Sequence, residues 1–288
     1  MQRIGAVIFI VVAMVLLPAC SNTSKESAQE NNADQKENEQ RADQKSESEK
    51  KEKEKEEKES AEVSQEVKEP KYKVTENASI VPIDNAEEKV VLVTIDDAPD
   101  KYSLEMANTL KELGVNAIFF VNGHFIESEE GAQKLKKLHE MGFIIGNHTK
   151  THANLKKISK GAQREEIISV SDRVEEIIGE RPLFFRAPHG ANTDYSRELV
   201  AEEGMTLMNW TYGYDYFEPY MDANKLEQAM ISGEGPEVGV DYSLLKPGAN
   251  LLMHDREWTN KALPGIIKGL RDKGYQMVDP ALIKTKDM

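Results

Sequence analysis

The stretch that decides the fold is Lys89-Val90-Val91-Leu92-Val93-Thr94-Ile95-Asp96-Asp97-Ala98-Pro99. The part from Lys89 to Ile95 is almost continuously apolar and rich in β-branched residues, which predicts a strand covered on both faces, as in a parallel sheet. Adjacent carboxylates follow at its carboxyl end. Neighbouring side chains of an extended backbone point to opposite sides, so Asp96 and Asp97 can hold different roles, one binding a cation and the other accepting a proton. Taken alone, the stretch also fits a solvated turn before a helix.

Strand-like and helix-like segments alternate beyond this stretch, a pattern typical of α/β folds with parallel strands. The predicted strands are Lys89–Ile95, Ala117–Val121, Phe143–Gly146, Phe184–Ala187, Thr206–Trp210, Leu251–His254 and Gln276–Val278. The predicted helices are Ser103–Leu113, Ala132–Met141, Gln163–Ile178, Tyr195–Glu203, Lys225–Ile231 and Leu263–Lys273. Glycines typical of helix C-terminal caps follow at Gly114, Gly142, Gly179, Gly204 and Gly274. About seven β/α units predict a barrel or an open wound sheet, with the chemistry at the carboxyl ends of the strands.

Two histidines follow the predicted strand Phe143–Gly146, in the segment Asn147-His148-Thr149-Lys150-Thr151-His152. If this segment turns helically, His148 and His152 lie on one face. Two imidazoles and one carboxylate form a catalytic zinc set with room for water. Without its third ligand the pair fits a structural role equally well.

Two more strand ends carry reactive side chains. Arg186 lies in the predicted strand that is followed by Pro188-His189-Gly190. Its guanidinium can bind a carboxylate in a bidentate manner. His254 ends another strand and is a candidate proton donor at neutral pH. Each alone also fits a structural role, as a buried ion pair or a core histidine.

Together these stretches resemble, in order, the motifs of the NodB-homology polysaccharide deacetylases, carbohydrate esterase family 4. Thr94-Ile95-Asp96-Asp97-Ala98-Pro99 resembles T-F-D-D-G-P, and His148-Thr149-Lys150-Thr151-His152 resembles H-[ST]-x-x-H. Arg186-Ala187-Pro188-His189-Gly190 is similar to R-x-P-x-G, and Leu251-Leu252-Met253-His254 to L-x-x-H. The resemblance spans residues 89–280 and implies a distorted (β/α) barrel of about seven units, an α/β fold.

The resemblance also implies a metal centre. Asp97, His148 and His152 are expected to hold a divalent metal, with zinc first and cobalt, nickel or manganese as alternatives. Asp96 is the implied general base that activates water. Arg186 is expected to fix the Asp96 carboxylate and to depress its basicity.

The remaining implied roles concern the amide bond and the substrate pocket. The backbone amide of His189 is expected to stabilise the oxyanion, and His254 to protonate the departing amine. Leu251 is expected to line an apolar pocket for the acetyl methyl group.

The fourth motif, D-x-x-D-W after an extra Trp, is altered in Trp210-Thr211-Tyr212-Gly213-Tyr214-Asp215-Tyr216. Gly213 replaces the first Asp, and Tyr216 replaces the final Trp. Asp215 is retained and is expected to orient His254. Trp210 and Tyr216 are candidate sugar contacts. A platform of further tyrosines, or alternatively core packing, accounts for Tyr212, Tyr214 and Tyr220. Two smaller departures are Ala98 in place of glycine and His189 in place of an aromatic residue.

The N-terminal region predicts export and anchoring. Residues 1–20 combine Arg3, an apolar core and the exit Leu17-Pro18-Ala19-Cys20, and they resemble a bacterial lipoprotein signal in which Cys20 is lipidated. Residues 21–70 hold 16 acidic and 10 basic residues and predict a disordered, charged linker. Residues 71–288 form the predicted deacetylase domain. The protein is therefore expected on the outer side of the cell membrane, facing the wall.

Composition limits the remaining classes. The 288-residue chain has a single cysteine, which excludes a disulfide-built fold, and a formal net charge of −14, which argues against nucleic acid as a partner. The expected function is removal of N-acetyl groups from an aminoglycan by a monomer. The alternatives are an O-acetyl esterase of xylan or wall polymer and a catalytically weak glycan-binding relative.

Overall fold

The computed structural model describes residues 69–286. The predicted signal peptide, Cys20 and nearly all of the predicted linker lie outside the described residues. The described part begins with an antiparallel hairpin of β1 (Tyr72–Val74) and β2 (Ile80–Pro82). Within this part, none of the helices has the length and apolar content that crossing a membrane requires.

A parallel sheet of seven strands forms the centre of the described residues. Its strands are β3 (Val90–Ala98), β4 (Ile118–Val121), β5 (Ile144–Asn147), β6 (Phe184–Phe185), β7 (Thr206–Leu207), β8 (Ala249–His254) and β9 (Gln276–Met277). The order is β7-β6-β5-β4-β3-β8, and β9 pairs with the start of β3. A parallel bridge between Tyr212 and Leu251 joins the segment after β7 to β8, so the sheet curls back on itself. The predicted distorted (β/α) barrel is confirmed.

Helices cover the outer face of this sheet. They are α1 (Ser103–Glu112), α2 (Glu129–Glu140), α3 (Lys160–Ile178), α4 (Asp194–Glu202), α5 (Ala223–Ser232) and α6 (Glu257–Asp272). Most begin earlier than predicted because their first turns are polar and carry no apolar period. Ser128 caps α2 and Ser159 caps α3, each by accepting a backbone N–H of the first turn. The five predicted capping glycines all have positive φ.

Strand β3 is longer than predicted, because it continues beyond Ile95 through both aspartates to Ala98, and all nine of its residues are buried. The pairing register with β4 shifts between Ile95 and Ala98, and Asp97 takes a left-handed φ of 59°. This irregularity turns the Asp97 side chain out of the regular alternation of the strand.

Successive side chains of β3 and β8 alternate between the helix-side core and the inner face of the sheet. Val91, Val93 and Ile95 pack in the cluster on the helix side of the sheet, together with Leu251. Val90 and Leu92 belong to a second cluster, inside the curl. Asp96 continues this inner series, because side chains two residues apart share a face. The same periodicity places Leu252 and His254 together on β8.

Candidate active site

A cavity of about 540 Å³ opens where the inner faces of β3 and β8 end. Asp96 and His254 are direct register partners across these two strands. The predicted site residues that line the cavity are Asp96, Asp97, His148, His152, His189, Trp210, Asp215, Tyr216 and His254. Convergence of parallel strand ends therefore brings together residues up to 158 positions apart, from Asp96 to His254.

Arg186 is fully buried and forms an ion pair with the Asp96 carboxylate. Its Nη1 donates to Asp96 Oδ1 at 2.6 Å and to Thr94 Oγ1 at 2.7 Å. Its Nε donates to the carbonyl oxygen of Met208 at 3.0 Å, and the guanidinium lies 4.2 Å from the centre of the Phe120 ring. These contacts fix the guanidinium and hence the orientation of Asp96 Oδ1.

Burial raises the pKa of Asp96 above its usual range, while the charges of Arg186 and His254 pull it down. Burial prevails because the carboxylate is shut off from bulk water. Arg186 lowers the pKa of Asp96, as expected, and the effect of burial is the larger of the two. Asp96 is consequently a better proton acceptor than an exposed aspartate.

Asp97, His148 and His152 offer three ligand atoms that all lie within 4.8 Å of one another. Asp97 Oδ1 is 3.6 Å from His152 Nε2 and 4.0 Å from His148 Nε2. Ligands of a tetrahedral zinc ion lie about 3.4 Å apart, given zinc–ligand bonds of about 2.0–2.1 Å. The donor set and its spacing therefore fit a divalent metal.

The protonation of the two histidines also suits a metal. His148 Nδ1 donates to the carbonyl oxygen of Arg186 at 2.7 Å, so Nε2 carries the lone pair, 4.0 Å from Asp97 Oδ1 and 3.6 Å from Asp96 Oδ2. Burial lowers the pKa of His148 to about 3 and also lowers that of His152, so both rings are neutral at pH 7. Neutral imidazole is the form that ligates metal.

The His148–His152 segment is not a helical turn, so that part of the sequence interpretation is wrong. It forms a loop in which Thr149 and His152 take left-handed φ values of 68° and 59°. Asn122 Nδ2 donates to the carbonyl oxygen of His148, and Thr151 Oγ1 donates to Glu166. The loop brings the two imidazoles to a ring separation of 5.0 Å.

Asp215 is fully buried and orients His254. His254 Nδ1 donates to Asp215 Oδ1 at 2.8 Å, and the backbone N–H of His254 donates to Oδ2 at 2.6 Å. Thr259 Oγ1 also donates to Oδ2, at 2.8 Å. Burial alone would lower the pKa of His254, but the carboxylates of Asp215, Asp96 and Asp97 raise it to about 9. His254 is therefore an imidazolium at neutral pH, with Nε2 as its remaining donor.

One predicted contact is wrong, and one open alternative is decided. Leu251 is fully buried on the helix side of β8, and Leu252 lines the cavity instead, because it shares a face with His254. Tyr212 and Tyr214 are core residues whose hydroxyls donate to the carbonyl oxygens of Met230 and Gly233. Tyr220, which is 2% exposed, packs beside them. The core-packing alternative is thus correct for these three tyrosines.

Tyr216 and His189 lie at the rim of the cavity. Tyr216 is 44% exposed, and its ring lies 5.8 Å from that of His254. His189 is exposed, has a left-handed φ of 58°, and places its ring 4.9 Å from that of His152.

Four lining residues were given no role by the sequence: Met221, Leu252, Arg256 and Trp258. Trp258 Nε1 donates to the carbonyl oxygen of Asp215 at 2.8 Å. Arg256 Nη2 donates to Asp97 Oδ2 at 2.7 Å. Counting back two residues from His254 identifies Leu252; no local pattern identifies Arg256.

Comparison with known proteins agrees with this geometry. Residues 83–208 match the polysaccharide deacetylase family model. The chain is 30% identical over 216 residues to a peptidoglycan-N-acetylglucosamine deacetylase of Bacillus cereus, covering 73% of this chain and 75% of the relative. It is 26% identical over 196 residues to the peptidoglycan-N-acetylmuramic acid deacetylase PdaA of Bacillus subtilis, covering 66% and 70%.

Among solved structures, a mutant of BA3943 from Bacillus anthracis is similar, with a TM-score of 0.59, 26% identity and 68% of each chain covered. BA3943 is described as a carbohydrate esterase family 4 pseudoenzyme, and that mutant as having restored activity. With a 30% identical relative covered over three quarters of its length, the chain belongs to the polysaccharide deacetylase family, carbohydrate esterase family 4.

Proposed function

We propose that the protein is a lipid-anchored, metal-dependent N-deacetylase of cell-wall aminoglycans, with zinc as the preferred ion. One observation carries the proposal: a three-ligand set and two oriented proton-transfer groups line a single cavity. Asp96 is held by Arg186 on one side, and His254 is held by Asp215 on the other. Hydrolysis of an amide needs both, a base to activate water and an acid to protonate the amine.

Asp97, His148 and His152 would hold the ion. Two imidazoles with one carboxylate are a donor set of catalytic zinc sites, and cobalt, nickel and manganese are the alternatives. When bound, such an ion supplies a Lewis acid that polarises a carbonyl oxygen and makes water more acidic.

Asp96 acts as the general base. Arg186 holds Oδ1, while Oδ2 lies 3.6 Å from His148 Nε2, beside the ligand set. Oδ2 is therefore the oxygen that accepts a proton from water next to the ligands. The backbone N–H of His189, whose ring lies 4.9 Å from that of His152, is the donor proposed for the developing oxyanion.

His254 acts as the general acid. Asp215 holds Nδ1, so Nε2 delivers the proton to the departing amine nitrogen. The raised pKa keeps this proton in place at neutral pH. Protonation is what turns the amine into a leaving group when the tetrahedral intermediate collapses.

The substrate class rests on the cavity walls and the relatives. Leu252 and Trp258 provide an apolar wall for an acetyl methyl group, and Tyr216 and Met221 offer exposed apolar surface for a sugar ring. One relative is named for N-acetylglucosamine and the other for N-acetylmuramic acid in peptidoglycan. N-acetylglucosamine units of peptidoglycan or a chitin-like polymer are the proposed substrate.

The proposed location follows from residues 1–70. Lipidation of Cys20 after export, with residues 21–70 as a tether, would hold the enzyme at the outer face of the cell membrane within reach of wall glycan. Labelling of cells with a radioactive fatty acid tests this: the wild-type chain takes up label and the Cys20→Ser variant does not. Uptake of label by both chains contradicts anchoring at Cys20.

Acetate release tests the reaction. The full chain is assayed on N-acetylated peptidoglycan and on chitooligosaccharides, with and without chelator and with metal added back. We expect chelation to abolish activity, zinc to restore it, and Asp96→Asn to remove it. Activity that survives both chelation and Asp96→Asn contradicts the mechanism.

The same assay distinguishes two alternative functions from the proposed one. An O-acetyl esterase uses the same geometry, and a higher turnover of acetylated xylan than of amide substrate identifies it. A non-catalytic glycan binder would bind zinc and oligosaccharide and release no acetate with any metal. Retention of Asp96, Arg186, Asp215 and His254 favours the catalytic alternative.

A further inference from the structure

Arg256 and the two proposed ligand histidines, His148 and His152, lie at opposite oxygens of Asp97. Arg256 Nη2 donates to Oδ2 at 2.7 Å, whereas Oδ1 lies 3.6 Å from His152 Nε2 and 4.0 Å from His148 Nε2. One oxygen thus faces the proposed metal position, and the guanidinium takes the other.

The position of Arg256 is fixed by its neighbours in the chain. Its backbone N–H donates to the carbonyl oxygen of His254 at 2.8 Å, and Nη1 donates to that of Asp255 at 3.2 Å. The Asp255 carboxylate accepts the backbone N–H groups of Tyr102 at 2.7 Å and Ser103 at 2.8 Å. Asp255 thereby ties the start of α6 to the start of α1, just after the aspartates of β3.

The contact between Arg256 and Asp97 joins a buried carboxylate to a partly exposed guanidinium. The Arg256 side chain is 38% exposed and the Asp97 side chain is 12% exposed. Asp97 sits in a left-handed backbone conformation outside the regular strand alternation, so its backbone does not by itself aim the carboxylate along the strand. A contact that fixes one oxygen of this carboxylate while the other faces His148 and His152 points to a role at the metal.

We propose that Arg256 is a positioning residue of the metal centre, which occupies Asp97 Oδ2 so that the carboxylate offers only Oδ1 to an ion. The inference rests on the metal site of the proposed function. One-oxygen coordination suits zinc, which takes three protein ligands and an open position in catalytic sites. Manganese prefers a six-coordinate, oxygen-rich shell and gains from a carboxylate that is free to bind through both oxygens.

Metal affinity tests the proposal without reference to turnover. Dissociation constants for zinc and for manganese are measured on the metal-stripped full chain by chelator competition and calorimetry. In Arg256→Ala we expect zinc binding to weaken by about 10–100-fold, as for loss of other partners of metal ligands, and manganese binding to weaken by a smaller factor. Arg256→Lys keeps the charge with a single donor group and should recover part of the zinc affinity.

Arg173→Ala is the matched control, because its side chain is 31% exposed and pairs with Glu176 on α3 outside the cavity. It should leave both constants unchanged. Unaltered or tighter zinc binding in Arg256→Ala overturns the proposal, and so does equal weakening of both metals in that variant. Thermal unfolding of the metal-free variants checks that each is folded, and Arg256→Lys serves if the alanine variant is not.

The outcome separates this proposal from the proposed function. A wild-type chain that binds zinc with the expected Arg256 dependence, yet releases no acetate, refutes the deacetylase and leaves the positioning role standing. A wild-type chain that deacetylates while Arg256→Ala keeps full zinc affinity refutes the positioning role alone.

Discussion

Asp96 and His254 lie side by side as register partners on the neighbouring parallel strands β3 and β8. Each forms an ion pair with a buried residue, Asp96 with Arg186 and His254 with Asp215. Burial raises the pKa of Asp96, which makes it a better proton acceptor, and the nearby carboxylates raise that of His254 to about 9, which keeps its proton in place at neutral pH.

Removing Arg186 should cost more stability than removing an exposed arginine. Arg186→Met leaves the fully buried Asp96 without its partner, which at neutral pH is expected to cost about 3–5 kcal/mol of unfolding free energy. Arg181, half-exposed among Asp172, Glu175 and Glu203, is the control, and Arg181→Met should cost about 1 kcal/mol or less. Urea unfolding measures both, and equal losses would contradict the assigned role of Arg186.

The alkaline limit of activity should depend on Asp215. The folded-state pKa of His254 is about 9, above the ordinary value of 6.5, so the protonated acid is lost as the pH rises through about 9. The contact of His254 with Asp215 also stabilises the folded protein. This stabilisation is fully present below pH 6.5 and is lost as the pH rises from 6.5 through about 9. In Asp215→Asn the alkaline limb of kcat/KM should move down by about 1–3 pH units.

Glu257→Gln is the control for this experiment, because Glu257 is an exposed acid on the same segment, paired with Lys261. Its pH profile should match that of the wild type. NMR titration of the His254 ring gives the pKa directly if Asp215→Asn is too slow to assay. An unchanged His254 pKa in that variant would refute the electrostatic role of Asp215.

Much of the fold and site follows from the sequence because both depend on local patterns. Short apolar runs followed by polar residues identify parallel strands and their carboxyl ends, and the topology of such a sheet brings those ends together. Asp96, His148, Arg186 and His254 could therefore be placed in one site before their distances were known.

The features that the sequence did not predict depend on which face of a strand each residue occupies and on contacts between residues far apart in the chain. Choosing Leu252 over Leu251 requires the face of β8 that His254 occupies, and every side chain changes face with a shift of one residue. Tyr212 and Tyr214 lie in a segment buried on both faces, so their aromatic character does not separate core from rim. Arg256 pairs with Asp97 across 159 positions, a contact that exists only because β3 and β8 are neighbours.

Alanine variants of the two leucines should separate core from cavity. Leu251→Ala removes a fully buried side chain of the helix-side core and is expected to cost about 2–5 kcal/mol of unfolding free energy, with kcat/KM of the folded enzyme nearly unchanged. Leu252→Ala should reduce kcat/KM for N-acetyl substrates, because it removes part of the apolar wall. Urea unfolding and acetate release distinguish them, and loss of kcat/KM only in Leu251→Ala would restore the original assignment.

Gly213 stands where the family's fourth motif has its first Asp, and its surroundings explain the departure. A Cβ at this position would lie 2.2 Å from the carbonyl oxygen of Leu252 and 2.8 Å from its Cβ. The backbone of Leu252 belongs to β8, which carries His254 two residues later. The close approach of the two chain segments thus requires a residue without a side chain.

Restoring the family residue should therefore harm the protein. Gly213→Ala is expected to lower the unfolding free energy by about 1–3 kcal/mol, the usual cost of overpacking, and Gly213→Asp by more, with lower activity in both because β8 must shift. Gly161→Ala is the control: this helical glycine has open space around it, and the change should be neutral or stabilise the protein by about 0.5–1 kcal/mol. Urea unfolding and acetate release test the set. A Gly213→Asp enzyme that is as stable as the wild type and more active would mean that β8 gives way easily and that the departure limits catalysis.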